Sequence, residues 1–129
     1  MEKAKSKKVS KAKYVDGFVI SINLKNLPAY KKMAEIGREV WMEHGALDYK
    51  ECVGEDLDTK MGLSFPELTK SKKSETVIFS WITYSSKTDR NKVNAKVMKD
   101  PRMNCMEGQK MPFEMKRMSY GGFKVLVSS

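Results

Sequence analysis

His44 is the side chain of this chain best suited to proton transfer at neutral pH. It is the one histidine among 129 residues, and histidine has an ordinary pKa near neutrality. In a catalytic interpretation, His44 is a general base or a hydrogen-bond donor to a small ligand, oriented by Glu43 or Asp48. In a structural interpretation, it ends a helix, where a basic group stabilises the negative end of the helix dipole. Its place before Gly45 favours the structural role.

Asp16 is a carboxylate within an otherwise apolar segment. If it points into the protein interior, its charge needs a partner or its pKa must rise. Arg117 and Lys124, near the end of the chain, are the candidate partners. The alternative is a solvent-exposed carboxylate at the start of a strand. In a catalytic site, Asp16 would be the charge partner of His44.

Two irregular stretches of the chain could supply the walls of a ligand pocket. Phe65 lies beside a proline in the first stretch, and Phe113 lies beside a proline in the second. Six of the ten methionines fall between Met98 and Met118. Methionine adapts to irregular space, so these residues either line an apolar pocket or lap over a dimer interface. The sequence favours the interface.

Trp81 and Asn94 complete the predicted pocket, although each also has a structural explanation. Trp81, like Trp41, is a large apolar surface of the kind that usually packs in a core. Asn94 lies in a helical segment between Val93 and Val97. A buried amide there must find hydrogen-bond partners, so it fixes neighbouring groups or contacts a ligand.

The order of elements that must position these residues is β-α-β-β-α-β. Strands are predicted where β-branched and aromatic residues alternate, and helices where apolar residues recur every three or four positions. Asn26 is expected to cap the first helix, and Ser86 and Asp89 form a capping box for the second. The predicted strands span residues 14–23, 46–55, 76–84 and 117–127, and the helices run from Leu27 to Gly45 and from Ser86 to the residue before Pro101.

This order predicts an α+β fold of the ferredoxin-like type, with a four-stranded antiparallel sheet and both helices on one face. The third and fourth strands carry apolar residues on both faces. A monomer would expose an apolar patch of several hundred Å² that soluble monomers seldom tolerate. We therefore expect a homodimer in which two sheets pack face to face.

The basic charge of the chain is concentrated at its start. The net charge is +9, and residues 1–13 contribute +5 of it through six lysines and one glutamate. These residues are predicted to form a disordered tail, followed by a single domain over residues 14–129. The tail would give only weak, salt-sensitive attraction to nucleic acid.

Composition excludes several other classes of protein. No apolar run approaches the length of a membrane span, and no apolar stretch follows the basic residues as in a secretory signal. Cys52 and Cys105 are too few for a disulfide framework, so they are expected to be reduced thiols in a cytoplasmic protein. A single histidine without zinc-ligand spacing predicts no metal site, and no cofactor motif is present.

Segments along most of the chain resemble the YbaA-like family of small bacterial proteins of unknown function. The matching stretches are Tyr-Val-Asp-Gly-Phe at 14–18, Trp-x-Glu-His-Gly-Ala at 41–46, Glu-Cys-Val at 51–53, Ser-Phe-Pro at 64–66, Phe-Ser-Trp-Ile at 79–82, Val-Asn-Ala-Lys-Val-Met at 93–98, Asp-Pro-Arg at 100–102, Met-Pro-Phe at 111–113, and Arg-Met-x-x-Gly-Gly-Phe-Lys-Val-Leu-Val at 117–127.

The resemblance implies a dimeric α+β barrel, in which two ferredoxin-like sheets close against each other. That superfamily includes cofactor-independent oxygenases, haem-degrading oxygenases and binding proteins, which commonly place a ligand between sheet and helix. The family itself has no established activity, so the resemblance assigns no catalytic motif.

The leading hypothesis is a homodimer that binds a small apolar or aromatic molecule, with cofactor-free oxygenase or isomerase chemistry by analogy alone. The alternatives are a non-catalytic dimerisation or interaction protein and a nucleic-acid binder assisted by the tail.

Overall fold

The fold, seen in a computed structural model that describes residues 12–106 and 111–129, is of the α+β class. Short 3₁₀ turns at 24–26, 101–106 and 115–117 join the main elements. No helix in the described parts of the chain is long and apolar enough to cross a membrane. In chain order the elements are β1 (Tyr14–Asn23), α1 (Leu27–Glu43), β2 (Asp48–Val53), α2 (Phe65–Thr69), β3 (Glu75–Tyr84), α3 (Lys87–Lys99) and β4 (Ser119–Lys124).

The predicted four-stranded antiparallel sheet is confirmed. Its strands lie in the order β2-β3-β1-β4. In the central pair, Tyr14 lies opposite Tyr84, and on the other side of β1 it lies opposite Lys124. Because side chains alternate along a strand, the even-numbered residues of β1 and β3 share one face and the odd-numbered residues share the other.

Some element boundaries differ from the prediction, because backbone groups there make hydrogen bonds other than those of the predicted strand or loop. Ala46 donates its N–H to the carbonyl of Trp41 and so completes the end of α1, which delays the start of β2 to Asp48. Arg117 lies in a 3₁₀ turn, so β4 begins only at Ser119. Residues 56–75, predicted as a loop, contain the short helix α2.

Lys13, the last residue of the predicted tail, belongs to the folded part of the chain. Residues 1–11 lie outside the described part of the chain, but Lys13 is hydrogen bonded on both sides. Its N–H donates to the carbonyl of Tyr84 at 2.9 Å, and its carbonyl accepts from Val125 at 3.0 Å. Lys13 therefore extends the pairing of the central strand.

The helix caps follow the prediction at one helix and depart from it at the other. Ser86 accepts a hydrogen bond from the N–H of Asp89 at 3.0 Å, as expected for the cap of α3. Asn26 is the N-cap residue of α1 as predicted, but its side chain makes no hydrogen bond to its own helix. Its amide donates instead to the carbonyl of Pro112 at 3.1 Å and holds a distant segment against the helix start.

The helix face of the sheet, made by the even-numbered residues of β1 and β3, carries the core. Helix α1 packs on it through Tyr30 and Val40, and α3 packs on it through Val93 and Val97. Burial of these apolar side chains is the main source of stability. The strands contribute the buried residues Ile20, Ile22, Ile78, Ile82 and Tyr84.

Among the residues that the structure describes, those covering the opposite side of the sheet lie at one end of it. Helix α2 places Phe65 against Phe79, with ring centroids 6.0 Å apart. The rest is an apolar concavity of about 650 Å³. We call this surface the open face, and it is formed by Val15, Val19, Phe79, Trp81 and Phe123.

Asp16 is buried on the helix face, and its partner is Arg90 of α3. The Arg90 Nη1 atom lies 3.3 Å from Asp16 Oδ1, and Nη2 donates to the Tyr14 hydroxyl at 3.3 Å. Burial and the Asp16 carboxylate both raise the pKa of the neighbouring Tyr84 phenol. Arg117 and Lys124, the predicted partners, do not pair with Asp16 in the described residues, and the exposed alternative is wrong because Asp16 is only 4% exposed.

Arg117 anchors the far end of the sheet. Its Nη1 atom donates to Glu75 Oε2 at 2.8 Å, and its Nη2 atom donates to Ser21 Oγ at 3.0 Å. Nη2 also reaches the carbonyl of Lys70 at the end of α2. One guanidinium therefore joins β1, β3 and α2. The hydrogen bonds that Glu75 accepts from the Arg117 guanidinium and from the N–H of Lys72 lower the pKa of Glu75 to about 2.

Removing the Asp16 carboxylate is expected to destabilise the fold strongly. Asp16→Asn leaves the Arg90 charge unpaired in a largely buried site, which costs about 3 kcal/mol in the free energy of unfolding. The matched control is Asp48→Asn, whose ion pair with Lys50 is exposed and is worth about 1 kcal/mol or less. Urea unfolding measures both, and equal losses would contradict the structural role of the buried pair.

The Glu75–Arg117 pair is expected to make stability fall in acid. Because the pKa of Glu75 is lower in the folded state than its ordinary 4.5, the ionised pair stabilises the protein above that pH. The contribution is lost as the pH falls from about 4.5 through 2. Glu75→Gln should therefore be less stable than wild type at pH 7, and the gap should narrow steadily in acid. Urea midpoints across this range test it, with Glu55→Gln, an exposed loop change, as the control without a gap.

Candidate functional site

A cavity of about 310 Å³ lies between helix α1 and the helix face of the sheet. Aromatic and aliphatic side chains from α1, β1, β2 and β3 line it, together with methionines from the segments that follow α3. The main lining residues are Phe18, Ile20, Tyr30, Met33, Ala34, Trp41, Tyr49, Glu51, Ser80, Ile82, Met103, Met111, Phe113, Met115 and Met118.

Glu51 is the carboxylate on the wall of this cavity. Its Oε1 atom accepts a hydrogen bond from the Tyr30 hydroxyl at 2.7 Å, and its Oε2 atom accepts one from the Tyr49 hydroxyl at 2.7 Å. Ser80 lies directly opposite Glu51 on the neighbouring strand and is buried. We call Tyr30, Tyr49, Glu51 and Ser80 the polar end of the cavity.

Local sequence brings the two phenols to one carboxylate. Tyr49 and Glu51 are two residues apart on β2, so their side chains lie on the same face of the strand. Tyr30 reaches them from α1. Gly37 of the same helix leaves room for this approach, since a Cβ atom there would lie 3.0 Å from the Tyr49 hydroxyl.

The electrostatics of the polar end fix the direction of its hydrogen bonds. Burial and the Glu51 carboxylate raise the pKa of Tyr30 and that of Tyr49 well above the ordinary value of 10. Both phenols therefore stay protonated and act as donors. A carboxylate that accepts two such charge-assisted bonds is held rigidly in one orientation.

An open groove of about 730 Å³ adjoins the cavity between α1 and the edge strand β2. It shares Tyr30, Tyr49 and Glu51 with the cavity. Its outer rim carries Lys31 and Arg38, which are exposed. The polar end therefore lies where the cavity meets a groove that is open to solvent.

His44 lies outside this cavity and outside the neighbouring groove. It is the C-cap residue of α1, and Gly45 after it has a positive φ of 118°. Its Nε2 atom lies 2.8 Å from Asp100 Oδ2, so Asp100 is its partner and the predicted orienting residues Glu43 and Asp48 are not. The position agrees with the structural interpretation of a helix-ending histidine.

Asp100 joins the ends of the two long helices. Besides contacting His44, it accepts hydrogen bonds from the Arg102 side chain at 2.8 and 3.0 Å. Arg102 also donates to Glu43 at 2.6 Å. The Arg102 guanidinium, followed by His44, lowers the pKa of Asp100 well below its usual range. His44 and Asp16 thus each have a separate partner and do not form the charge pair that the sequence predicted.

The structure does not bring the four predicted pocket residues together. Phe113 lines the cavity and packs edge-on against Tyr30 at 5.7 Å. Trp81 and Phe65 lie on the other side of the sheet, where each packs against Phe79. Trp81 occupies an odd-numbered position of β3, so it lies on the face opposite the helices. Phe65 belongs to α2, which covers that same face.

Asn94 holds the two long helices together instead of facing the cavity. Its Oδ1 atom accepts the indole N–H of Trp41 at 3.0 Å and the Tyr84 hydroxyl at 3.4 Å. These partners satisfy the partly buried amide oxygen, which supports the structural alternative for Asn94. Trp41 uses its only donor in the same bond.

The sequence prediction missed Tyr30, Tyr49 and Glu51. One signal was available, because Glu51 is a carboxylate on the otherwise apolar face of the predicted second strand that carries Leu47, Tyr49 and Val53. A charged group at such a position needs partners. The methionines Met103, Met111, Met115 and Met118 line the cavity, which was the less favoured of their two predicted roles.

No group of three histidine, cysteine, aspartate or glutamate residues within residues 12–106 and 111–129 is arranged to hold a metal ion. Cys52 is a free thiol on the exposed side of β2. The chemistry that these described residues offer is therefore that of one carboxylate with two phenols in an apolar cavity.

Comparison with known proteins is consistent with this description and assigns no activity. A solved structure of a NIPSNAP family protein of unknown function from Agrobacterium tumefaciens C58 is similar with a TM-score of 0.55 and 18% identity, over 89% of each chain. This likeness extends to the fold alone.

The sequence relatives are much nearer. The chain is 42% identical over 115 residues to the uncharacterized protein YbaA of Escherichia coli K12, which covers 89% of this chain and 97% of that protein. The YbaA protein of Shigella flexneri matches equally well. Residues 13–115 match the model of the family described as "Protein of unknown function (DUF1428)". The chain is therefore a member of this YbaA-like family.

Proposed function

We propose that this protein binds a small apolar or aromatic molecule in the cavity between α1 and the sheet. The observation that carries the proposal is the cavity itself, about 310 Å³ of largely apolar space with one carboxylate cluster in its wall. Binding sites for small molecules are typically apolar hollows with a few convergent polar groups. A dry cavity of about 150 Å³ is enough to admit benzene.

The cavity also discriminates between the two leading hypotheses. A protein whose sheet serves only for dimerisation needs no space beneath its helices, because filled cores are more stable than hollow ones. Here Phe18, Trp41 and Phe113 surround open volume instead of closing it. An unfilled space next to a satisfied carboxylate supports ligand binding over a purely structural role.

We further propose that two copies associate through the open face, as in a ferredoxin-like dimeric α+β barrel. The strand order β2-β3-β1-β4 is compatible with that arrangement. Phe79 is 45% exposed and Phe123 is 58% exposed on this surface. Covering them with the same surface of a second copy removes apolar area from water.

Catalysis of the oxygenase or isomerase type stays a prediction from the family resemblance. His44, its predicted proton-transfer residue, contacts Asp100 outside the cavity. Nucleic-acid binding through the basic tail and a cytoplasmic location likewise stay predictions. Binding of a small molecule is the function that the cavity supports best among these hypotheses.

Ligand binding is expected to perturb the methionines that line the cavity and not those on the surface. Methyl NMR of the methionines, recorded while small aromatic molecules are added, should shift Met103, Met115 and Met118. Met61, which is 90% exposed, and Met98, which is 66% exposed, are internal controls. Native mass spectrometry of the freshly purified protein tests for a ligand that is already bound.

Ala34→Leu supplies the matched variant for this measurement, because its longer side chain enters the cavity. Ala29→Leu adds the same side chain to an exposed position of α1. We expect Ala34→Leu to abolish the shifts, while Ala29→Leu and His44→Ala keep them. Shifts that survive in Ala34→Leu would show that the molecules bind elsewhere.

Dimerisation is expected to depend on the open face. Phe123→Glu places a charge at its centre and should give a monomer at micromolar concentration in size-exclusion chromatography with light scattering. Met98→Glu adds the same charge on an exposed position of α3 and should leave the dimer intact. A wild-type monomer under the same conditions would contradict the proposed association.

A further inference from the structure

We infer that the ligand of the cavity carries a hydrogen-bond donor, such as a phenol or amine group on an apolar body, and that Glu51 accepts its hydrogen bond. This inference rests on the proposed function and names the class of ligand. It is carried by the direction of the hydrogen bonds at the polar end of the cavity and by the negative charge of the Glu51 carboxylate.

The aromatic donors around the cavity are already used within the protein. A tyrosine hydroxyl has one hydrogen to donate, and Tyr30 and Tyr49 both donate theirs to Glu51. The indole N–H of Trp41 is donated to Asn94. The phenols and the indole therefore cannot donate to a carbonyl, ether or carboxylate of a ligand without breaking a bond inside the protein.

Acceptor capacity is left over at the same place. An ionised carboxylate offers about four lone-pair positions, and the two phenols occupy one on each oxygen of Glu51. The phenol oxygens have lone pairs of their own. A donor group on a ligand thus finds acceptors that are already aligned, and the hydrogen bonds from Tyr30 and Tyr49 stop the carboxylate from turning away.

Charge at the polar end points to the same class of ligand. Within the described residues, Glu51 has no lysine, arginine or histidine nitrogen within 4.0 Å, since none of their ion pairs includes it. Lys50, the cation on the cavity wall, is paired with Asp48 at 2.8 Å. An anionic ligand that contacts Glu51 would therefore meet a like charge with no cation in direct contact with it, whereas a neutral or cationic donor would not.

Ser80 gives the site a second polar contact. It lies opposite Glu51 across the strand pair and is 4% exposed. A serine hydroxyl both donates and accepts. A ligand hydroxyl that donates to Glu51 can therefore accept from Ser80, which suits a phenol or an alcohol better than an ether.

Two isomeric probes test the inference directly. 4-Methylphenol and methoxybenzene have the same atoms and nearly the same shape, but only the phenol donates a hydrogen bond. Titration of the full-length protein, followed by the methyl signals of Met103 and Met118, should show the phenol binding about tenfold or more tightly, as expected for a hydrogen bond to a charged group. Benzoate, the anionic probe, should bind more weakly than either.

Glu51→Gln should remove most of this preference. The variant keeps the size of the side chain and loses its charge, so the affinity for 4-methylphenol should fall about tenfold while that for methoxybenzene changes little. Glu55→Gln is the matched control, because it makes the same change at an exposed loop position outside the cavity, and it should keep the preference for the phenol. Glu51→Asp, which keeps the charge but draws the carboxylate back from the cavity, provides the test if Glu51→Gln does not fold, and it should also weaken the preference.

The outcomes separate this inference from the proposed function. Equal affinity of the two isomers for wild type, or a preference that Glu51→Gln retains in folded protein, would overturn the inference and leave cavity binding in place. Loss of the preference in Glu55→Gln would show that a carboxylate outside the cavity affects it equally, and would also overturn the inference. If no probe shifts the methionines of the cavity, the proposed function fails and the inference fails with it.

Discussion

Strand β1 lies between β3 and β4, and its register with each of them decides on which side of the sheet every side chain falls. Tyr14 pairs with Tyr84 on one side and with Lys124 on the other. Because side chains alternate, this register sends Ile20 and Ile22 to the helices and Val19 to the open face. A slip of one residue would exchange the two sets and bury the wrong one. The core, the cavity and the apolar open face all follow from this pairing.

The buried polar groups show how the protein accommodates charge within this arrangement. Asp16 is neutralised by Arg90, which reaches it from α3. Glu51 is stabilised by neutral phenols instead. The first arrangement is complete within the chain, because a cation cancels the anion. The second satisfies part of the hydrogen-bonding capacity of the carboxylate and leaves its charge in place, which is why only the second resembles a site for another molecule.

The fold was predictable from the sequence because its periodicities are strong. The alternation of side chains in β3 and the three- and four-residue spacing of apolar residues in α1 depend only on residues that are close in the sequence. The start of α3 is likewise indicated by Ser86 and the residues just after it. The partners of buried charges were not predictable in this way. Arg90 and Asp16 are 74 residues apart, and local pattern does not indicate which of several cations meets a carboxylate.

The candidate site lay beyond the sequence for a related reason. Residue type drew attention to His44, Trp81 and Asn94, yet each is occupied by a contact that stabilises the fold. Glu51 drew no attention as a candidate site residue, because a glutamate on an edge strand is ordinarily exposed. Only the meeting of α1 with β2 turns it into the acceptor of two phenols. The sequence shows which side chains could take part in chemistry, but it does not show which of them are already bound to other residues in the fold.

The lining of the cavity differs in stiffness from one part to another. Tyr49 and Trp41 are aromatic rings fixed by hydrogen bonds, whereas Met103, Met115 and Met118, from the segments after α3, are unbranched thioethers with several rotatable bonds. Side chains of that kind take their shape from whatever occupies the space. Under the proposed function, molecules of different outline can then fit equally well, and selection falls to the one rigid polar contact instead of to size or contour.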